Sequence, residues 1–125
     1  NLSWNGFPDT TANFAIIMDD PDAFQVVGYT WVHWSVFNIS SLVTIVDEGI
    51  EIGGVIGLND SYNNDYEGPC PPPGPPHNYV TSVYALSGEL DVSIVDVPIT
   101  RAEFESQYRS FILAIGTIRS QYEGR

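Results

Sequence analysis

Apolar residues in this chain come in short runs separated by clusters of turn formers, a layout that favours strands over long helices. Phe14-Ala-Ile-Ile-Met18 is continuously apolar, as a strand buried on both faces would be, and it stops at Asp19-Asp-Pro-Asp-Ala23. Tyr29-Thr-Trp-Val-His-Trp-Ser-Val-Phe-Asn38 alternates aromatic and β-branched residues, which predicts a second strand with Trp31, His33, Ser35 and Phe37 on one face. Val, Ile and Gly between Ser40 and Gly57 predict two short strands around a loop holding Asp47 and Glu48. Leu58 to Glu67 is rich in Asn, Asp, Ser and Tyr and reads as a surface loop. Tyr79 to Leu86 is a further strand, Ser87-Gly88 a turn, and Leu90 to Val97 another strand or an extended arm. Asn1 to Thr11 reads as turns anchored by Leu2, Trp4 and Phe7.

One helix announces its own start. Thr100 at the N-cap with Glu103 at the third helical position makes a capping box, and Ile99 and Phe104 occupy the two positions of a hydrophobic staple. Phe104, Tyr108 and Phe111 or Ile112 then recur at helical spacing. A helix of about Arg101 to Phe111 is predicted, followed by a final strand from Ile112 to Tyr122.

Between the surface loop and the strand at Tyr79 stands Gly68-Pro-Cys-Pro-Pro-Pro-Gly-Pro-Pro-His77-Asn-Tyr79. Proline fixes φ and donates no backbone hydrogen bond, so the segment is neither helix nor interior strand. It reads as a rigid loop that delivers His77 to the first position of a strand. A linker is also rich in proline, but linkers are seldom followed at once by His-x-Tyr and an apolar strand.

The 125 residues, 43% of them hydrophobic, are enough for one domain with a real core, which excludes disorder. Sixteen acidic residues against four basic ones give a net charge of -12. All four bases are arginine, which argues against a nucleic-acid partner and against docking on an anionic bilayer. No run is long and apolar enough for a membrane span, and the start does not resemble a signal peptide. The compartment stays open between the cytoplasm and, after removal of a signal, the periplasm or the exterior. Cys70 is the one cysteine, so neither an internal disulfide nor a cysteine zinc cluster forms. Asn1, Asn38 and Asn59 each begin a glycosylation-type triplet, a pattern short enough to arise by chance.

Asp20-Pro-Asp-Ala23, Trp31-Val-His-Trp34, Gly68-Pro-Cys-Pro-Pro-Pro-Gly74, His77-x-Tyr79 and Tyr84-Ala-Leu86 stand in the order found in phosphatidylethanolamine-binding proteins, and the chain most resembles their bacterial and archaeal branch. The likeness runs from Leu2-Ser-Trp4 through Ile115-Gly-Thr117 to Tyr122–Arg125. It implies a mainly β fold, with a large central antiparallel sheet, a smaller sheet and a peripheral C-terminal helix, over a single domain spanning residues 1–125. It also implies a small pocket for phosphate, other small anions or phosphorylated head groups. Asp20, His33, His77 and Tyr79 are the pocket positions that carry over. Asp22 and the backbone of Gly68, Pro69, Cys70, Pro71 and Pro72 flank them. Asp22 is expected to serve mostly in an Asx-type turn.

The chain departs from the family pattern in three places. Phe24 replaces the last proline of Asp-Pro-Asp-Ala-Pro. Asn78 replaces the arginine of His-Arg-Tyr, which removes a cation near the site. The family also has several dozen residues, early strands among them, before Leu2-Ser-Trp4. Cleavage, a second chain or a homodimer would account for that beginning, since sheet edges and apolar faces would otherwise lie uncovered.

Two imidazoles with a phenol and backbone N–H donors can hold a small anion by charge-assisted hydrogen bonds, while distant surface charges are screened beyond ~10 Å. Asp20 would orient an imidazole or accept a proton carried by a partly protonated phosphate. The expected function is therefore non-enzymatic binding without a cofactor. Because the family includes inhibitors of kinases and proteases, a regulatory protein partner is the natural extension. A competing reading makes Asp20, Asp22, His33 and His77 the ligands of a metal-dependent hydrolase. A weaker one pairs Ser35 with His33 as a serine hydrolase, and Cys70 is a conceivable reactive thiol.

Overall fold

The computed structural model describes residues 2–23, 28–43, 45–46, 54–62, 64, 77–91 and 96–122, and among these the regular structure is seven strands, one short α-helix and two 3-10 turns. The strands are β1 (Leu2–Ser3), β2 (Asn13–Asp20), β3 (Trp31–Ser40), β4 (Ile45–Val46), β5 (Val55–Ile56), β6 (His77–Leu86) and β7 (Ile112–Tyr122), and the helix α1 is Arg101–Gln107. β1 pairs with β4 in a two-stranded sheet. The other five form one antiparallel sheet in the order β5-β3-β2-β6-β7. The two short strands expected between Ser40 and Gly57 are thus β4 and β5, and they belong to different sheets. Asp47 and Glu48 lie outside the described residues.

β2 takes the centre because its sequence leaves no polar face to present to water: every residue from Asn13 to Asp20 is buried. On one side of it Ala15 and Ile17 pack with Phe37, Tyr84, Leu86, Leu90, Ile99 and Phe104. On the other, Phe14 and Ile16 pack with Trp4, Val36, Ile39, Val83 and Ala85. Each large side chain so buried contributes on the order of 1.5–3 kcal/mol. Trp4 and Phe7, the expected anchors of the opening turns, meet Phe14 edge to face.

α1 starts as the sequence requires, with both hydrogen bonds of the Thr100–Glu103 capping box made. Phe104 is its buried anchor, stacked on Phe37 and tilted against Tyr84 and Tyr108. The helix is shorter than its periodicity suggests. Tyr108 closes it, and Arg109–Phe111 tightens into a 3-10 turn because the Phe111 carbonyl is taken by the Ser87 N–H, which starts β7 beside β6. β7 leaves Leu113, Ile115 and Ile118 exposed.

β3 departs from simple alternation. Its pairing with β2 steps from Ile39↔Phe14 to Val36↔Ile16 and from Trp34↔Met18 to Val32↔Asp19, so β3 carries one extra residue at each step. Asn38 absorbs the first bulge at φ +55, a conformation asparagine tolerates, and its amide exchanges two hydrogen bonds with the backbone of Leu90. His33 is the extra residue of the second. The face expected to hold Trp31, His33, Ser35 and Phe37 together is therefore split. Phe37 lies in the cluster under α1, and Ser35, opposite Ile17, points the same way.

Asn59 corrects the surface-loop expectation for its own position: it is 2% exposed, and its Oδ1 accepts from the Ser61 N–H at 2.9 Å. The expected arm from Leu90 to Val97 falls partly outside the described residues. Among those described, no helix is long and apolar enough to cross a membrane.

Candidate functional site

Asp19 and Asp20 end β2, and pleating sends them to opposite faces of the sheet. On the helix side, Asp19 accepts from the Arg101 backbone N–H at 2.9 Å and from Arg101 Nε at 2.8 Å. Burial pushes the Asp19 carboxyl above its usual range, and the bonds from Arg101 oppose that shift. The pair ties the first turn of α1 to the end of the central strand.

Asp20 works on the other face. Its Oδ1 accepts from the N–H groups of Asp22 at 3.0 Å and Ala23 at 3.2 Å, which folds Pro21–Ala23 into a 3-10 turn. Its Oδ2 lies 2.6 Å from His77 Nδ1. A carboxylate only accepts, so Nδ1 carries the proton of this bond and the ring orientation is fixed. Among the described residues Nε2 of His77 has no hydrogen-bond partner.

His77 opens β6, and Tyr79 follows on the same face two positions later. The Tyr79 ring lies 6.4 Å from that of His77, stacked, and 5.1 Å from that of His33, edge to face. The bulge in β3 is what brings His33 to this side, since strict alternation from Trp34 would have turned it toward α1. Asp20, His33, His77 and Tyr79 are thus gathered on one face, at exposures of 3%, 6%, 8% and 1%.

Three expectations change. The Asx-type turn assigned mainly to Asp22 is made by Asp20, while Asp22 Oδ2 accepts from the Asn78 backbone N–H at 2.6 Å and the Asn78 amide at 3.0 Å. Asp22 has this role because the turn folds it over the start of β6. Ser35 is buried on the face away from His33, and its Oγ has no partner among the described residues, so it gains no base. No three His, Cys, Asp or Glu side chains among the described residues are grouped as a metal site requires. Gly68, Pro69, Cys70, Pro71 and Pro72 lie outside the described residues.

Sequence reasoning missed the Asn78 clamp and the Asp19–Arg101 pair. A carboxylate closing a fully apolar run in a chain with four cations was the available signal for the second, because a buried charge demands a partner. A hollow of about 390 Å3 also opens on the helix side, lined by Tyr29, Thr30, Val32, Asp60, Pro98, Thr100 and Glu103, none of them from the histidine face.

Comparison with known proteins assigns the chain to a family. The family model "Phosphatidylethanolamine-binding protein" matches residues 1–123. The chain belongs to the phosphatidylethanolamine-binding protein family. Within it the chain falls in the bacterial and archaeal UPF0098 branch, which includes YbhB and YbcL of Escherichia coli. A UPF0098 protein of the archaeon Methanothermobacter thermautotrophicus is 42% identical over 97 residues, covering 73% of this chain and 62% of the relative. A crystal structure of a phosphatidylethanolamine-binding protein homologue from Chlamydia trachomatis superposes with a TM-score of 0.81 at 30% identity, covering 98% of this chain and 79% of that one. For YbcL the TM-score is 0.78 at 31% identity, covering 98% of this chain and 78% of that one. Three of the curated relatives are spanned over 62%, 57% and 52% of their length. The mainly β family fold appears here as the five-stranded antiparallel sheet with its short helix.

Proposed function

We propose that this chain is a non-enzymatic binding domain that holds a small anion, such as phosphate or a phosphorylated head group, on the face shared by Asp20, His33, His77 and Tyr79. One observation carries the reading: His77 is clamped through Nδ1 to Asp20 at 2.6 Å, which leaves Nε2 without a protein partner among the described residues. A protonated imidazole held this way offers one N–H in a fixed direction, and its charge strengthens the bond to an anion. Asp20 in turn is fixed by the two N–H groups of its turn, so little ordering remains for binding to demand.

Tyr79 neighbours both imidazole rings, so the three rings border the same face. A kinase or protease partner, regulated through this face, is the extension that family membership supports.

Isothermal titration calorimetry with inorganic phosphate tests the proposal. His77→Ala loses at least about tenfold in affinity while its far-UV circular dichroism stays that of the folded parent, although loss of the partner of buried Asp20 lowers its unfolding temperature. Unchanged affinity in that variant would place the anion elsewhere.

A further inference from the structure

The hollow on the helix side shares no residue with the histidine face, and its chemistry is of the opposite sign. Its volume of about 390 Å3 is that of a small-molecule cavity. Buried Val32 belongs to its lining, and Asp60 is fixed there by two bonds. The Asp60 carboxylate accepts from the Val32 N–H, and the Asp60 N–H donates to the Val32 carbonyl at 3.0 Å. Glu103 is held by the capping box, in which its Oε1 accepts from the Thr100 N–H at 2.9 Å. Its Oε2 has no hydrogen-bond partner among the described residues. Tyr29 adds an aromatic wall. Its ring is stacked on Trp31 at 5.9 Å with 19° between the planes, yet the residue is 47% exposed, so the ring is oriented and still has surface to offer.

Nothing positive offsets these groups. Arg101 follows Thr100 but turns its Nε to Asp19 at 2.8 Å. Arg109 stands beyond the far end of α1, and Arg119 lies on β7, three strands from β3. Arg125 is the one cation outside the described residues. The start of α1 supplies no anion site either, because the N–H groups of Thr100, Arg101 and Glu103 are all bonded within the protein. What Thr30, Thr100, Asp60 and Glu103 bring to the lining is therefore chiefly oxygen that accepts hydrogen bonds.

We infer that this hollow is a second binding site, for a guanidinium group carried by a small free cation or by an arginine side chain of a peptide. A guanidinium is planar, so it stacks on an aromatic ring such as Tyr29 while its fork of N–H donors reaches separate carboxylates. An ammonium is more strongly hydrated and gains less in an open hollow. The chain's net charge of -12 draws cations toward it. This site is independent of the anion-binding reading and stands or falls without it.

The test is chemical-shift titration of the 15N-labelled chain at low salt with N-acetylarginine methylamide and with its citrulline counterpart, which has the same shape and no charge. The arginine compound moves the amide signals of Tyr29, Thr30, Val32 and Glu103 saturably and binds at least roughly tenfold tighter than the citrulline one. Glu103→Gln keeps the capping box, since glutamine also serves at that position, and Tyr29→Leu changes a half-exposed ring; each lowers the affinity at least about threefold. Equal binding of the citrulline compound would overturn the inference, as would an affinity that either variant leaves unchanged. Shifts that fail to saturate and spread over the acidic surface would overturn it too, and so would equal binding of N-acetyllysine methylamide. Methylguanidinium, titrated alongside, separates the sources: equal binding assigns the site to a free cation, and weaker binding assigns it to an arginine side chain, both upholding the guanidinium site. None of these results bears on phosphate binding at His77.

Discussion

Replacing Arg101 by methionine keeps most of the side chain's apolar stem and removes the guanidinium that faces Asp19. The Asp19 side chain is 2% exposed, and of its two bonds only the one from the backbone N–H of residue 101 survives the change. Removing one partner of a buried ion pair costs about 3–5 kcal/mol, and the surviving N–H puts this site at the lower end, about 3 kcal/mol. The pH dependence follows from the raised Asp19 pKa. Between the ordinary aspartate pKa and the raised folded value, the folded state binds more protons than the unfolded one, so this group's contribution to stability falls as pH rises. Loss of the guanidinium raises the folded value further. The Arg101→Met deficit is therefore largest near neutral pH and shrinks on acidification as Asp19 takes up its proton. Urea unfolding followed by tryptophan fluorescence, at neutral pH and again near pH 4.5, reads both effects. A neutral-pH loss below about 1 kcal/mol, or a deficit that grows on acidification, would refute the view that Arg101 neutralises a buried charge.

Two further substitutions probe the frame that positions the site. Phe104→Ala removes the fully buried ring between Phe37, Tyr84 and Tyr108, and should lower the unfolding free energy by about 3–5 kcal/mol in urea melts. Gly57→Ala drives a methyl group into Ser35 Oγ and to 2.8 Å from the Phe37 ring, for a loss of about 1–3 kcal/mol. Because Ser35 Oγ is the atom struck first, adding Ser35→Ala should restore part of that loss, which a double-mutant cycle measures.

Apart from β1, whose two residues were read as part of a turn because only pairing with β4 makes them a strand, the strands and the helix start were legible because each rests on a local pattern: the apolar run of β2, the β-branched alternation of β3 and β6, the Thr100–Glu103 box. The end of α1 was not, since the Phe111 carbonyl is claimed by Ser87 from a distant part of the chain. His33 shows the same limit at the site. Its type and its place after Trp31 marked it as a candidate, but the face it occupies depends on a bulge set by pairing with β2, which no period-two pattern contains. The turn was assigned mainly to Asp22 instead of Asp20 for a related reason. Both fit an Asx turn locally, and only the meeting of the turn with β6 decides that Asp20 holds His77 and Asp22 holds Asn78. Asp19 and Arg101, far apart in sequence, had no shared motif to announce them.

The account depends on His77 presenting Nε2 to an anion while Nδ1 stays bound to Asp20. Long-range 1H–15N spectra of the imidazole nitrogens, recorded during titration with dimethyl phosphate, observe both atoms at once. The predicted result is a saturable shift at His77 Nε2 with Nδ1 nearly unmoved, abolished in His77→Ala. Saturable binding that leaves both His77 nitrogens unchanged would contradict it.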